Sequence, residues 1–204
     1  TGGNGGIGLA FARGLMKSGC HVAIWARDKS KNEQAVAELK NLSNAKVFAF
    51  SCDVSSETAI QEAMDKTISA FGNVDVCFAN AGIGQGMAIP EMTVEAWDEV
   101  MAVNARGIAM TYRHITEHMI AQGKGGKLIA TSSGQSIMGV NRSSNYAASK
   151  AAVNGLTRAA AFELARYKIT ANALLFGFYE TDLTKKSDPR FAEWMTKRIP
   201  LRRF

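Results

Sequence analysis

The sequence predicts an α/β fold built on a doubly wound, mostly parallel sheet, and three observations lead there. Short β-branched or aromatic runs alternate with longer helical patterns along the chain, an order that implies parallel strands joined by crossover helices. Several runs are continuously apolar rather than alternating, as strands covered on both faces should be. The chain also opens on TGGNGGIG, residues 1–8, a glycine-rich turn that runs directly into a helical pattern.

That first helix is expected over 7–18, with Lys17 in its last turn and Gly19 where it should stop. HVAIW (21–25) reads as the first strand and a helix follows over 29–41; KVFAF (46–50) reads as the second, before a helix over 56–71 that Ser56 can cap. VDVCFA (74–79) is the third strand, and the irregular GIGQGMAIPEM (82–92) after it could border a pocket. Thr93 can cap a long helical pattern over 93–121 that a break could divide. KLIATS (127–132), a helix over 145–167 and ITANALL (169–175) complete the alternation. Sheets of this kind bind ligands at the carboxyl ends of their strands, so the loops after strands carry the functional expectation.

The 204 residues suit a single domain, 1–204, and a hydrophobic content of 47% is that of a globular chain. No apolar run approaches the roughly 20 residues that span a bilayer, so no membrane association is expected and the cytoplasm is the default. Cys20, Cys52 and Cys77 are odd in number and form no CxxC pair, which suits free thiols in a reducing compartment. The net charge of +6 is spread without interleaved aromatics, a solvated surface rather than a nucleic-acid footprint. Only Lys185, Lys186, Arg190, Lys197, Arg198, Arg202 and Arg203 cluster, a feature that would favour anionic substrates or carriers.

Glycines at a strand-to-helix turn let backbone N–H groups approach a pyrophosphate, whose charge the helix N-terminus favours. Three registers fit the octet: Gly3, Gly5 and Gly8 as GxGxxG, Gly2, Gly5 and Gly8 as TGxxGxxG, or Gly2, Gly6 and Gly8 as TGxxxGxG. The octet alone does not choose among them.

Further on the chain carries ANAG (79–82) after a strand, VNARG (103–107) in a helical stretch, TSS (131–133) at a strand end and YAASK (146–150) opening a helix. In this order, behind TGxxxGxG, these motifs resemble the short-chain dehydrogenase/reductase family in its compact branch, over the whole chain. The resemblance implies a Rossmann-type fold and an NAD(P)-dependent oxidoreductase that moves hydride between nicotinamide and a carbonyl or secondary alcohol. It selects the register in which Gly2, Gly6 and Gly8 hold the named positions, with Asn4, Gly5 and Ile7 between them.

Tyr146 and Lys150 are four apart, hence on one helix face. A phenol of pKa about 10 is a poor base, but an ammonium about 4 Å away at an effective dielectric near 20 contributes about 4 kcal/mol, or roughly three pKa units. The expectation is a tyrosine brought near neutrality, where a proton shuttle works best. The resemblance assigns Ser133 to the substrate oxygen, Asn104 to a water that links Lys150 with solvent, Asn80, Ala81 and Gly82 to the cofactor wall, and Asp53, with Val54 beside it, to the adenine. Gly177 and Thr181 are left to contact the nicotinamide carboxamide in a stretch, ITANALLFGFYETDL (169–183), where the family's proline is Phe176.

The second strand ends in WARD (25–28). The family's discriminating acid falls at Ala26, directly before Arg27, a pattern that points to NADP, with NAD as the alternative; Asp28 reads as the start of the next helix. HITEH (114–118) fits a zinc-peptidase pattern, but His21 is the only further histidine and a third ligand is not evident. The alternatives to catalysis by Asn104, Ser133, Tyr146 and Lys150 are thus a cofactor-binding regulator or scaffold of the same fold, and more remotely a zinc hydrolase. The family commonly forms homotetramers or dimers through the helices at 93–121 and 145–167. A strand before the glycine loop and a segment after IPLRRF are expected from the family pattern, so the residues read as a trimmed part of a longer chain. Substrate identity is not legible in 82–92 or 184–204.

Overall fold

The computed structural model describes residues 1–181, 184 and 189–203. Seven α-helices and five strands alternate among them: α1 (Gly6–Lys17), β1 (Val22–Ala26), α2 (Lys29–Lys40), β2 (Val47–Ser51), α3 (Glu57–Phe71), β3 (Val76–Ala79), α4 (Val94–Met101), α5 (Gly107–Gln122), β4 (Gly126–Ser133), α6 (Ser144–Leu164), β5 (Ile169–Phe176) and α7 (Pro189–Arg198). Ser56 and Thr93 cap α3 and α4 as expected, each accepting from the N–H three residues on. Asp28 caps α2 in the same way, which explains its place after the strand. The long helix over 93–121 is indeed divided, by a π-helical turn at Ala102–Arg106. Helix α7 carried no signal that the sequence reading used. Lys185 and Lys186 of the basic cluster lie outside the described residues.

Every pairing among the described strands is parallel. β1 pairs with β2, and β3, β4 and β5 pair in that order, with Ser133 opposite Phe176 at the level carboxyl ends of β4 and β5. The expected single sheet is therefore present as two ladders, because β1 and β3 do not pair. Thr1 and Gly2 lie between them: the Gly2 N–H donates to Trp25 O at 2.8 Å and the Thr1 amino group to Phe78 O at 2.7 Å. One core, around Met16, Ile24, Leu39 and Val47, ties α1 and α2 to β1 and β2. A second, around Ile60, Met119, Leu128, Val153 and Ile169, joins α3, α5 and α6 to the other strands. Each such buried aliphatic side chain stabilises the fold by about 1.5–3 kcal/mol. Together they fix the strand ends from which the candidate site rises.

Candidate active site

The glycine loop is shaped by conformation and by close approach. Gly2 (φ +61°) and Gly6 (φ +49°) occupy the left-handed region, and a Cβ on Gly8 would stand 2.2 Å from Gly2 O. Gly5 is extended and has nothing within 4 Å of where a Cβ would go, while Gly3 faces only the Ile24 side chain. Backbone geometry thus demands glycine at positions 2, 6 and 8 more strictly than at 3 or 5. The loop is tied down from several sides. Thr1 Oγ1 accepts the N–H groups of Asn80 and Ala81, both at 2.9 Å, and Asn80 Nδ2 donates to Thr1 O and Gly2 O. Asn4 Nδ2 donates to Asn32 Oδ1 at 2.8 Å, and Asn32 Nδ2 to Ala26 O at 2.9 Å.

A cleft of about 410 Å³ runs along the strand ends. At one end Gly2, Asn4, Gly6 and Ile7 lie with Arg27, Asp53 and Val54, and Thr181 stands against Gly6, its side chain 3.4 Å from where a Cβ there would go; in the middle are Asn80, Ala81 and Gly82; Ser133, Tyr146, Lys150 and Gly177 line the other end. Gly8 and Asn104 alone among the expected site residues do not line it: Gly8 packs beneath the loop, and Asn104 lies behind Gly82. Arg27 is 3.8 Å from Asp53 and its side chain is 66% exposed. Burial tends to raise the Asp53 carboxyl, but two hydrogen bonds from Ser55 and the Arg27 charge hold it below its ordinary value. Lys31 also lines this end, a cation that the sequence reading missed although it lies four residues beyond Arg27.

Strand β4 delivers Ser133 and the first turns of α6 deliver Tyr146 and Lys150. The Ser133 hydroxyl accepts the Gln135 N–H at 3.2 Å and hydrogen-bonds the phenol. Lys150, only 2% exposed, donates through Nζ to Thr131 O at 2.8 Å, and Nζ lies 5.7 Å from the Tyr146 ring centroid. Burial pushes the Tyr146 phenol above its ordinary value, against the Ser133 hydrogen bond that pulls it down. The same burial pushes Lys150 down to about 8. The expected depression of the phenol by the ammonium is therefore not what this geometry gives: the lysine is directed to the Thr131 carbonyl, and desolvation dominates.

Asn104 is fully buried in the π-helical turn. Its Oδ1 accepts the Ile83 N–H at 2.8 Å, and its Nδ2 donates to Ile83 O at 2.9 Å and to Ser149 Oγ at 3.1 Å; Ser149 Oγ in turn donates to Tyr146 O at 2.7 Å. Both amide protons are engaged in bracing the loop after β3 to the first turn of α6. A buried serine at position 149, midway between Asn104 and Tyr146, could have been suspected only from its place within YAASK. Phe176 ends β5 and packs edge-on to Tyr179, with ring centroids 5.7 Å apart, and against Phe11 at 6.0 Å. The family's proline position is thus filled by an aromatic cluster at the cleft floor.

The HITEH pair lies elsewhere. His114 packs 3.4 Å from Glu57 and 4.0 Å from Glu117, and His21 instead accepts the Lys46 N–H. Among the described residues no group of three or more His, Cys, Asp and Glu side chains converges as a metal site would require.

The family model for short chain dehydrogenase matches residues 1–191. The chain belongs to the short-chain dehydrogenase family. A 3-oxoacyl-[acyl-carrier-protein] reductase FabG of Staphylococcus epidermidis is 36% identical over 205 aligned positions, covering 100% of this chain and 83% of that protein. The protein of the same name from Thermotoga maritima is 35% identical, with 82% of its length covered. Among solved structures, levodione reductase superposes with a TM-score of 0.94 at 30% identity, and a short-chain type dehydrogenase/reductase from Mycobacterium marinum with 0.93 at 29%; the chain is covered completely and spans 82% and 80% of theirs. As a short-chain dehydrogenase, the chain is an NAD(P)-dependent oxidoreductase acting on CH–OH or C=O groups. The cleft fits such a cofactor: α1 points its N-terminus, through glycines with no obstructing Cβ, into the end of a groove long enough to reach Tyr146.

Proposed function

We propose that this dehydrogenase uses Ser133, Tyr146 and Lys150 to interconvert a small-molecule ketone and its secondary alcohol, with NADP preferred over NAD. A bound nicotinamide supplies the hydride chemistry. Ser133 donates to the substrate oxygen, Tyr146 gives it or takes from it the proton, and Lys150 beneath them holds positive charge near the phenol. Asn104 takes part by fixing the turn that carries Tyr146. The observation that carries the reading is one cleft that holds the glycine loop at one end and Ser133, Tyr146 and Lys150 at the other.

The preference for NADP rests on Arg27 and Lys31 lining the far end and on Ala26 standing where an acid would meet the ribose 2′-hydroxyl of NAD. Gly2, Asn4, Gly6, Ile7 and Gly8 would hold the pyrophosphate, Asp53 and Val54 the adenine, Asn80, Ala81 and Gly82 the central wall, and Gly177 and Thr181 the carboxamide. The names of the FabG relatives favour a 3-oxoacyl thioester as the first substrate to try. Association through α5 and α6 into a dimer or tetramer is supported by Phe162, 89% exposed on α6. Free cysteines at 20, 52 and 77 support a cytoplasmic setting, and no described helix is long and apolar enough to cross a membrane. The deciding experiment is turnover of acyl thioesters, simple ketones and sugars with NADPH and with NADH. Turnover of a carbonyl substrate faster with NADPH supports the reading, and no turnover with either cofactor overturns it.

A further inference from the structure

Thr131 lies on β4 two residues before Ser133, and its two polar groups serve two different parts of the cleft. Its main-chain carbonyl accepts Lys150 Nζ at 2.8 Å, while its hydroxyl donates to Asn80 Oδ1 at 3.0 Å. The directions are forced. Thr1 O and Gly2 O, 3.2 and 3.4 Å from Asn80 Nδ2, can only accept, so the amide nitrogen faces the glycine loop and the amide oxygen faces Thr131, whose hydroxyl must donate. Space under the loop is limiting as well: a Cβ on Gly8 would stand only 2.6 Å from Asn80 Nδ2. The Thr131 hydroxyl is therefore the donor that the amide oxygen meets when the amide nitrogen serves the glycine loop.

We propose that Thr131 is a positioning residue: its hydroxyl locks the Asn80 amide against the glycine loop and so sets the loop's affinity for the dinucleotide, while its carbonyl separately seats Lys150. This rests on the reading above that the loop holds the cofactor. Without the hydroxyl, Asn80 Oδ1 loses its donor, and the side-chain amide is held against the loop only through Nδ2 and the carbonyls of Thr1 and Gly2. The carbonyl that meets Lys150 is unaffected by the side-chain change.

The test is a fluorescence titration of the purified chain with NADPH, in the parent and in Thr131→Val, Thr131→Ala and Thr131→Ser, with the pH profile of kcat taken for each. Valine keeps the shape and loses the hydroxyl; alanine loses it without any chance of crowding. Both are expected to raise the NADPH Kd about tenfold, serine to restore the parent value, and the pH midpoint of kcat to stay in place. A Kd at the parent level in the valine or alanine variant, a serine variant no better than these two, or a shifted midpoint overturns the role of Thr131. A parent that binds neither NADPH nor NADH overturns the cofactor reading itself, a separate result.

Discussion

Lys150 Nζ lies 5.7 Å from the centroid of the Tyr146 ring, over its face and one helical turn along α6. Lys150 is deeply buried and Tyr146 partly so, and burial drives their ionisations apart: the phenol rises while the ammonium falls to about 8. Each shift disfavours the charged form, so neutral partners are preferred on desolvation grounds. At neutral pH the lysine still carries most of its charge, at a cost to the fold.

That cost gives a stability signature with a definite sign. Below pH 8 the lysine is charged in both the folded and unfolded states, and the folded state bears the full penalty. Between about 8 and 10.5 the unfolded chain binds more protons than the folded one, so stability rises with pH, by an amount on the order of 3 kcal/mol if the whole shift is realised. The raised phenol acts in the opposite sense, and only above its ordinary value near 10. Urea midpoints of the parent relative to Lys150→Met should therefore climb between pH 7.5 and 9.5. A gap between the two proteins that does not change over that interval would remove the penalty from Lys150.

Tyr146→Phe removes the proton-carrying oxygen and keeps the ring. Turnover should fall by about 10²–10⁴-fold, the usual contribution of a positioned acid or base, with NADPH binding by titration little changed. Undiminished activity would take the proton transfer away from Tyr146.

Ser133→Ala deletes the hydrogen bond that lowers the phenol against its burial. The pH profile for alcohol oxidation, which needs the deprotonated phenol, should move to higher pH as well as lose amplitude. A profile that loses amplitude alone would leave Ser133 a substrate contact with no influence on Tyr146.

How much of this was legible in the sequence depended on whether a residue's task shows in its type. Alternating apolar runs and helical patterns placed the five strands within two residues of Val22–Ala26, Val47–Ser51, Val76–Ala79, Gly126–Ser133 and Ile169–Phe176, because strands buried on two faces need continuous β-branched and aromatic residues. Tyr146 and Lys150 were legible because a helix brings residues four apart onto one face. Thr131, Asn32 and Ser149 were not, since each acts through side-chain hydrogen bonds to residues distant in sequence, Asn80, Asn4 and Asn104 respectively, and an isolated Thr, Asn or Ser has many other uses. The sign of the Tyr146 shift was missed for a related reason: Coulomb's law could be applied from the spacing, while the depth of burial and the Thr131 carbonyl could not be seen.

Arg27→Ala should raise the KM for NADPH about tenfold and leave that for NADH nearly constant, since only a 2′-phosphate would lose a charge-assisted hydrogen bond. The Arg27 side chain is 66% exposed, so the melting temperature should not follow. Equal losses with both cofactors would place the discrimination elsewhere, with Lys31 the next residue to replace.

The register of the opening glycines yields the sharpest contrast, because Gly5 and Gly8 are three residues apart and meet opposite surroundings. A Cβ at position 8 meets Gly2 O at 2.2 Å and Gly2 C at 2.9 Å, main-chain atoms held in place by the Asn80 amide, so the loop must move to admit it. A Cβ at position 5 meets nothing within 4 Å, and the extended backbone there suits any residue. Gly8→Ala should therefore abolish measurable NADPH binding and lower stability by about 1–3 kcal/mol, the usual cost of forcing bulk into a packed site. Gly5→Ala should fold as the parent does. Its NADPH affinity then reports how closely the cofactor passes that position: a methyl group there faces the cleft, so a modest loss of binding with unchanged stability marks Gly5 as a ligand-facing glycine. Equal destabilisation by the two substitutions would contradict the loop geometry on which the TGxxxGxG register rests.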